Sequence, residues 1–410
     1  MSETKVGYGA LLRDRPHFRR LWYSHIISLL GDWLSYIAVS VLAVERSDSA
    51  LTVALVLVAH SLPLALVSPI AGPLADRHDR RTILVAAHLG AGFLTLCMWG
   101  ASELGWVLGL QGLLLLRVSI SGIGITARTS ALPALVAPEE LHRANTFFGL
   151  TWSVLFAGGV VIGGILTTVL GPEMAIFLDA CTFGVAAAIA RTLPKLPPQT
   201  EDGARRPQIG LSDLMEAWRY ARARPRTQST LMAKGAYAAS NGAAWVGLTL
   251  LAEDVNFGMT VAGAIGLMHA ARGIGTGIGP LVPDRVLKAE ANYGTPFGLL
   301  GIAVFFFSES PWLSFPMLVL WGMGSGHNWV SSTAELQTTT PDYILGRVTA
   351  LDFCIFSISN CSTAVMAGII IDLTGTIFLG VAAGLAVSIP FWAYLFRLRR
   401  GADAAARAAP

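Results

Sequence analysis

Gly72-Pro-Leu-Ala-Asp-Arg-His-Asp-Arg-Arg81 stands between two apolar runs, 50–74 and 82–100, each of a length that crosses a bilayer. A spanning helix needs about 20 largely apolar residues, because the hydrocarbon core is roughly 30 Å thick and a helix rises about 1.5 Å per residue. The charged stretch therefore reads as a tight polar turn joining two spans. A weaker copy occurs in the second half of the chain, where Gly279-Pro280-Leu281 is followed by Asp284-Arg285. Pro138 with Arg143 recurs in the same way as Pro341 with Arg347. Two polar turns repeated in the same order imply a duplicated bundle.

Outward from this stretch, apolar runs place spans near 20–43, 50–74, 82–100, 105–127, 146–170 and 172–192, then near 229–252, 260–282, 293–308, 313–335, 348–372 and 377–397. The expected fold is all-α and membrane-embedded, with twelve transmembrane helices in two pseudo-symmetric six-helix bundles. The composition agrees, since 53% of the 410 residues are hydrophobic and only 13% charged, which is too apolar for an ordinary soluble domain. A net charge of +3, with no basic stretch interleaved with aromatics, leaves no basis for a nucleic-acid partner. Cys97, Cys181, Cys354 and Cys361 all sit in apolar runs and behave as small hydrophobes rather than as a disulfide framework.

With the N-terminus inside, 25 of the 29 Lys and Arg residues fall in the inner loops and tails; the exceptions are Arg46 outside and Arg117, Lys234 and Arg272 within spans. This positive-inside bias puts both termini in the cytoplasm of a multi-pass cell-membrane protein. Residues 1–192 are expected to form the first bundle, 193–227 a cytoplasmic linker, 228–397 the second bundle and 398–410 a tail. In the linker, Pro194, Pro197, Pro198 and Pro207 precede a short helix beginning near Ser212, whose Leu211, Leu214, Met215 and Trp218 share one face suited to the inner leaflet.

The Gly72–Arg81 stretch resembles the signature loop of the major facilitator superfamily, G-x-L-x-D-R-x-x-R-R/K. That resemblance implies that Gly72, Asp76, Arg77, Arg80 and Arg81 belong to a cytoplasmic gate. Leu132-Pro-Ala-Leu-Val-Ala-Pro-Glu-Glu-Leu141 with Arg143-Ala-Asn145, and Leu336-Gln-Thr-Thr-Thr-Pro-Asp-Tyr-Ile-Leu-Gly-Arg347, are similar to the branch containing enterobactin-type siderophore exporters and macrolide-efflux proteins. The resemblance implies a secondary active transporter that exports an amphipathic small molecule, drug-like or siderophore-like, against proton influx. Two motifs depart from the pattern. The fourth-span Arg117 is followed by Val-Ser-Ile-Ser-Gly122 without a Gln. In the fifth span, Gly159-Val-Val-Ile-Gly163-Gly164 has Val160 where the antiporter motif has proline, leaving glycines that pack helices without a kink. An importer or uniporter of the same fold is the alternative, with a divalent-metal transporter behind it.

Ionisable groups inside spans cost about 3 kcal/mol or more at the bilayer centre, so each is a functional candidate. Asp32 lies near the middle of span one and is the candidate proton-coupling residue. His25, Ser28, Asp32 and Tyr36 fall near one helical stripe, and Arg117 on span four can hold an acid or an anionic substrate group. Asn241 with Lys234 and Tyr237 on span seven, His269 and Arg272 on span eight, and His327 and Asn328 on span ten suggest a wet cavity that holds the substrate. Lys234, Glu335 and Asp352 lie towards the inner ends, where they can snorkel or join the gate. His60, His88 and the intramembrane tryptophans read chiefly as packing residues.

Gly122-Ile-Gly124-Ile-Thr-Ala127 mimics a dinucleotide fingerprint but has no preceding strand, and no P-loop, H-E-x-x-H or G-x-S-x-G motif is present. No catalytic residues, cofactor or metal site are expected. The implied partners are a small-molecule substrate, a proton or other coupling ion and the lipid bilayer, around a monomer.

Overall fold

The computed structural model describes residues 8–197, 211–254, 258–282, 291–308 and 311–408, and among these every regular element is helical. The order is α1 (Tyr8–Asp14), α2 (Pro16–Glu45), α3 (Ala50–Arg77), α4 (Arg80–Glu103), α5 (Val107–Ala131), α6 (Leu141–Leu170), α7 (Pro172–Arg191), α8 (Leu211–Arg222), α9 (Pro225–Asp254), α10 (Val261–Ile278), α11 (Ala291–Phe307), α12 (Pro311–Thr339), α13 (Asp342–Thr374) and α14 (Ile377–Ala408). Apart from the short α1 and α8, these are the twelve long helices of the expected fold. Local chemistry sets their ends. Asp79 accepts from the Thr82 N–H to cap α4, Thr260 accepts from the Gly263 N–H to cap α10, and Gly171 at φ 87° with Pro172 turns α6 into α7.

Among the described residues, α2 to α7, α13 and α14 are by length and composition apolar enough to cross a membrane, Tyr293–Phe307 of α11 is a shorter apolar helix, and α9, α10 and α12 are less apolar. For α9 the difference follows from burial. On α9, Lys234, Tyr237, Ser240 and Asn241 are all buried against other helices, so their polarity never meets lipid.

The helices also run further than the apolar runs. The stretch read as a loop at 72–81 is the last part of α3 followed directly by α4, with only His78 and Asp79 between them. Helix α14 continues to Ala408, through most of the segment expected to be a tail.

Two compact units group the chain. The first takes in residues 1–39 with 66–208, and the second 40–65 with 209–410. In the first unit, Leu21, Ile83, Leu84, Leu135, Leu193 and Leu196 share one apolar core, while Leu11, Phe18, Leu132 and Val136 form another beneath α1. Gly159 and Gly163 of α6 lie against Trp33 and the Trp33 carbonyl of α2, and Gly164 is buried beside them.

In the second unit, α10 and α12 approach backbone to backbone. A Cβ at Gly322 would overlap the Arg272 carbonyl, and one at Gly275 would overlap that of Val319. Asp372 of α13 caps α3, accepting from the Ala50 N–H at 2.6 Å, the Leu51 N–H at 3.2 Å and Ser49 Oγ at 2.8 Å.

Helix α8 docks on this unit. Its Ala217, Tyr220 and Ala221 pack on Leu231, Leu336, Ile344 and Val348, and Arg347 holds Asp213 and Glu216 at 3.1 and 2.9 Å. The packed face is thus the one with small alanines, which admit close approach. Leu214 and Trp218 of the expected apolar face are half-buried, and Met215 is exposed. The side chain of Leu211 lies outside the described residues, as do Pro198, Pro207, Asp284 and Arg285.

Candidate functional site

Helices α2, α5 and α7 bring together two acids and one base. Arg117 Nη1 of α5 donates to Asp32 Oδ1 of α2, Nη2 donates to Ser35 Oγ at 2.8 Å, and Nη2 lies 3.8 Å from Asp179 Oδ2 of α7. Thr182 Oγ1 donates to Asp179 Oδ1 at 3.3 Å, and the Phe183 ring lies 5.6 Å from the guanidinium carbon. The local sequence permits this because position 31 is glycine; a Cβ there would overlap Asp179 Oδ1 and Thr182 Oγ1 and force α2 away from α7. Arg117 and Asp179 are 1% and 0% exposed, while the Asp32 side chain keeps 22%. With both carboxylates ionised the cluster carries one excess negative charge. One proton cancels it, which matters because an uncompensated buried charge is costly.

Asp179 was not among the residues expected from sequence. The rule that selects Asp32, an acid inside an apolar span, selects Asp179 equally. Gly31 carries no such signal, because its role exists only where two helices meet.

The stripe His25–Ser28–Asp32–Tyr36 does not converge on one point. Near the start of α2, His25 Nδ1 lies 2.5 Å from Arg128 Nη1, and the Arg128 guanidinium sits 4.5 Å over the Phe148 ring. Ser28 donates to the His25 carbonyl of its own helix, and Tyr36 is buried beside Trp33. His88 and Ser24 Oγ are 3.2 Å apart. A helix stripe fixes direction and not depth, so residues spread over three turns reach different partners.

In the second unit, Arg272 of α10 lies between the Trp245 and Trp321 rings, 4.2 and 3.8 Å from their centroids. Its Nη2 donates to Asn241 Oδ1 at 3.0 Å, and Nη1 lies 3.0 Å from His269 Nδ1. Asn241 also accepts from Trp321 Nε1 at 3.2 Å and donates to Asn360 Oδ1 at 2.9 Å. Asn241, His269 and Arg272 therefore meet. His327 and Asn328 turn elsewhere, His327 to Ser331 at 3.4 Å and Asn328 to Thr295 of α11 at 3.1 Å.

Lys234 and Asp352 do not snorkel. Lys234 Nζ donates to Asp352 Oδ2 at 2.5 Å beneath the Trp329 ring, with side chains 2% and 5% exposed. Glu335 receives both Nη groups of Arg399, at 3.0 and 2.5 Å. The polar stripes expected to face a wet cavity are largely closed on one another within this unit. Among the described residues, no group of three His, Cys, Asp or Glu side chains is placed to hold a metal ion, and the four cysteines are free.

At the start of α4, Asp79 organises the turn. Asp79 caps α4 and accepts from the Leu196 N–H at 2.8 Å, Arg80 Nη1 donates to the Pro197 carbonyl at 3.4 Å, and Arg81 Nη1 donates to the Leu193 carbonyl at 3.1 Å. The turn thereby holds residues 193–197 after α7. Burial raises the Asp79 carboxyl, but N–H bonds from Thr82 and Leu196, the Thr82 hydroxyl and the Arg81 charge together hold it below the ordinary carboxylate value. Arg77 is exposed and Arg80 buried; beyond their places in α3, Gly72 and Asp76 lie outside the described residues.

The family described as transmembrane secretion effector matches residues 10–409. The enterobactin exporter EntS of Citrobacter koseri is 26% identical over 349 residues, covering 83% of this chain and 82% of that one. That of Shigella dysenteriae serotype 1 is 28% identical over the same shares. Two solved structures share the fold. A bacterial homologue of the human lysosomal transporter Spinster superposes with a TM-score of 0.70 at 15% identity, over 94% of this chain and 98% of that one. A bacterial homologue of the iron transporter ferroportin gives 0.66 at 16% identity, over 93% and 98%.

Proposed function

From the premise that the chain belongs to the transmembrane secretion effector family of the major facilitator superfamily, we propose that it exports an amphipathic small molecule from the cytoplasm by alternating access, driven by proton influx. It is a multi-pass membrane transporter of the major facilitator fold, homologous to siderophore exporters. The finer reading places it in the cell membrane as a monomer with both termini cytoplasmic.

One observation carries the coupling step: a single buried guanidinium stands between two carboxylates, Asp32 and Asp179. When one carboxyl is protonated the cluster is neutral and tolerates a dry surrounding. When both are ionised, the extra charge favours a state in which water reaches Asp32, the more exposed of the two. Proton binding and release thus bias two conformations, which is what coupling requires. Asp32 exchanges the proton, Asp179 supplies the second charge, and Arg117 sets the balance between them.

The test is substrate-induced proton movement in proteoliposomes, with siderophores, macrolides and lipophilic cations as trial substrates. Wild type should move protons with substrate, and Asp32→Asn and Asp179→Asn should each lose that movement. Substrate flux with no proton movement in the wild type would replace this reading with a uniporter.

A further inference from the structure

Ala86, Leu89, Phe93 and Leu96 form an exposed apolar stripe along α4, spaced as one helix face. On a spanning helix such a face meets acyl chains. At the end of α4 that carries the charged turn, a groove of about 280 Å³ is lined by Arg81, Thr82, Val85, Ala86, Leu89 and Arg191. A second groove of about 290 Å³ shares Thr82 and Ala86 with it and continues towards Ile120 and Ile123 of α5.

The two arginines come from different helices. Arg191 is the last residue of α7 and is exposed. Arg81 is the second residue of α4, and its bond to the Leu193 carbonyl holds its guanidinium beside the end of α7. Asp79 stands near Arg81, but its oxygens already accept from Thr82 and Leu196, and among the described residues neither arginine is within ion-pair distance of a carboxylate. A bipartite site results, with two cationic heads at the mouth of an apolar channel.

We propose that this groove binds an anionic phospholipid, its phosphate between Arg81 and Arg191 and an acyl chain along Val85, Ala86 and Leu89. Guanidinium groups suit the phosphate, since each offers N–H donors in a fork that matches two of its oxygens. The apolar floor favours a lipid over a soluble anion, because it contributes only when a hydrocarbon chain covers it. Placement in the inner leaflet rests on the orientation proposed above, whereas lipid selectivity does not. A failure of the orientation would leave the binding result standing, and the reverse also holds.

The experiment measures the melting temperature of the full-length, delipidated protein in detergent as dioleoylphosphatidylglycerol, dioleoylphosphatidylcholine or inorganic phosphate is added. Phosphatidylglycerol should raise Tm at concentrations where phosphatidylcholine and phosphate do not. Arg191→Gln should raise the half-saturating phosphatidylglycerol concentration about fivefold, the effect of one basic residue at an anionic surface. Arg191→Lys, which keeps the charge but loses the fork, should fall between wild type and Arg191→Gln, and Ala86→Trp should abolish the selectivity by filling the groove. Equal responses to the two lipids, a shift reproduced by phosphate alone, or selectivity retained in both Arg191→Gln and Ala86→Trp would each overturn the proposal.

Discussion

The Arg117 cluster and the Lys234–Asp352 pair are both buried in spanning helices, yet they differ by one carboxylate. Lys234 and Asp352 balance one for one, so the pair is complete without a further proton. Arg117 faces Asp32 and Asp179 together, and the count is odd. Balanced pairs fix geometry; an odd carboxylate leaves a place for a proton to come and go. The surroundings follow the same division. The pair lies under Trp329 with both side chains at 5% exposure or less, whereas Asp32 keeps access to its exterior.

The largest expected effect strikes at this contrast. Asp32→Asn and Asp179→Asn each make the cluster even-numbered and should reduce proton-coupled transport at least about tenfold, the factor that 1.4 kcal/mol of lost bias represents, while Asp352→Asn should leave the number of protons moved per substrate unchanged. Proton flux measured beside substrate flux separates the three, and a change of stoichiometry in Asp352→Asn would break the comparison.

Stability should rank the other way. Asp352→Asn leaves Lys234 buried without its partner and should cost about 3–5 kcal/mol, whereas the double change Lys234→Met with Asp352→Leu should recover much of that loss. Thermal unfolding in detergent reads both, and no recovery in the double variant would mean that the pair does more than neutralise itself.

A smaller effect tests the packing that seats Arg272. Gly322→Ala places a methyl group against the Arg272 carbonyl and should destabilise by about 1–3 kcal/mol, with altered tryptophan fluorescence as Trp321 shifts.

The smallest expected effect concerns Asp79, a carboxylate outside the spans whose surroundings are donors. Its folded value lies below its unfolded one, so its contribution is present above the ordinary carboxylate range and is lost as pH falls through the folded value. Hydrogen exchange at the Leu196 amide should therefore lose protection only as pH falls below the ordinary carboxylate range, and Asp79→Asn should remove that pH dependence. Unchanged protection at low pH would show that the Arg80 and Arg81 bonds alone hold residues 193–197.

The sequence by itself determined the number of spans, the duplicated order of the polar turns and the candidacy of Asp32 and Arg117, because bilayer thickness and the cost of intramembrane charge act on residue type alone. Helices α9 to α12 were legible as apolar runs and through the repeat, and the polar residues that lower the hydropathy of α9 are sheltered by neighbouring helices. Partnership was not legible. That Arg117 takes both Asp32 and Asp179, that Lys234 meets Asp352 and that Asp79 ties down residues 193–197 depends on which helices are neighbours and at what depth. The same holds for Gly31, Gly275 and Gly322, which look alike in sequence and acquire meaning only from the backbone or side chain opposite. Periodicity along one helix gives the direction of a side chain, and only tertiary packing supplies what it meets there.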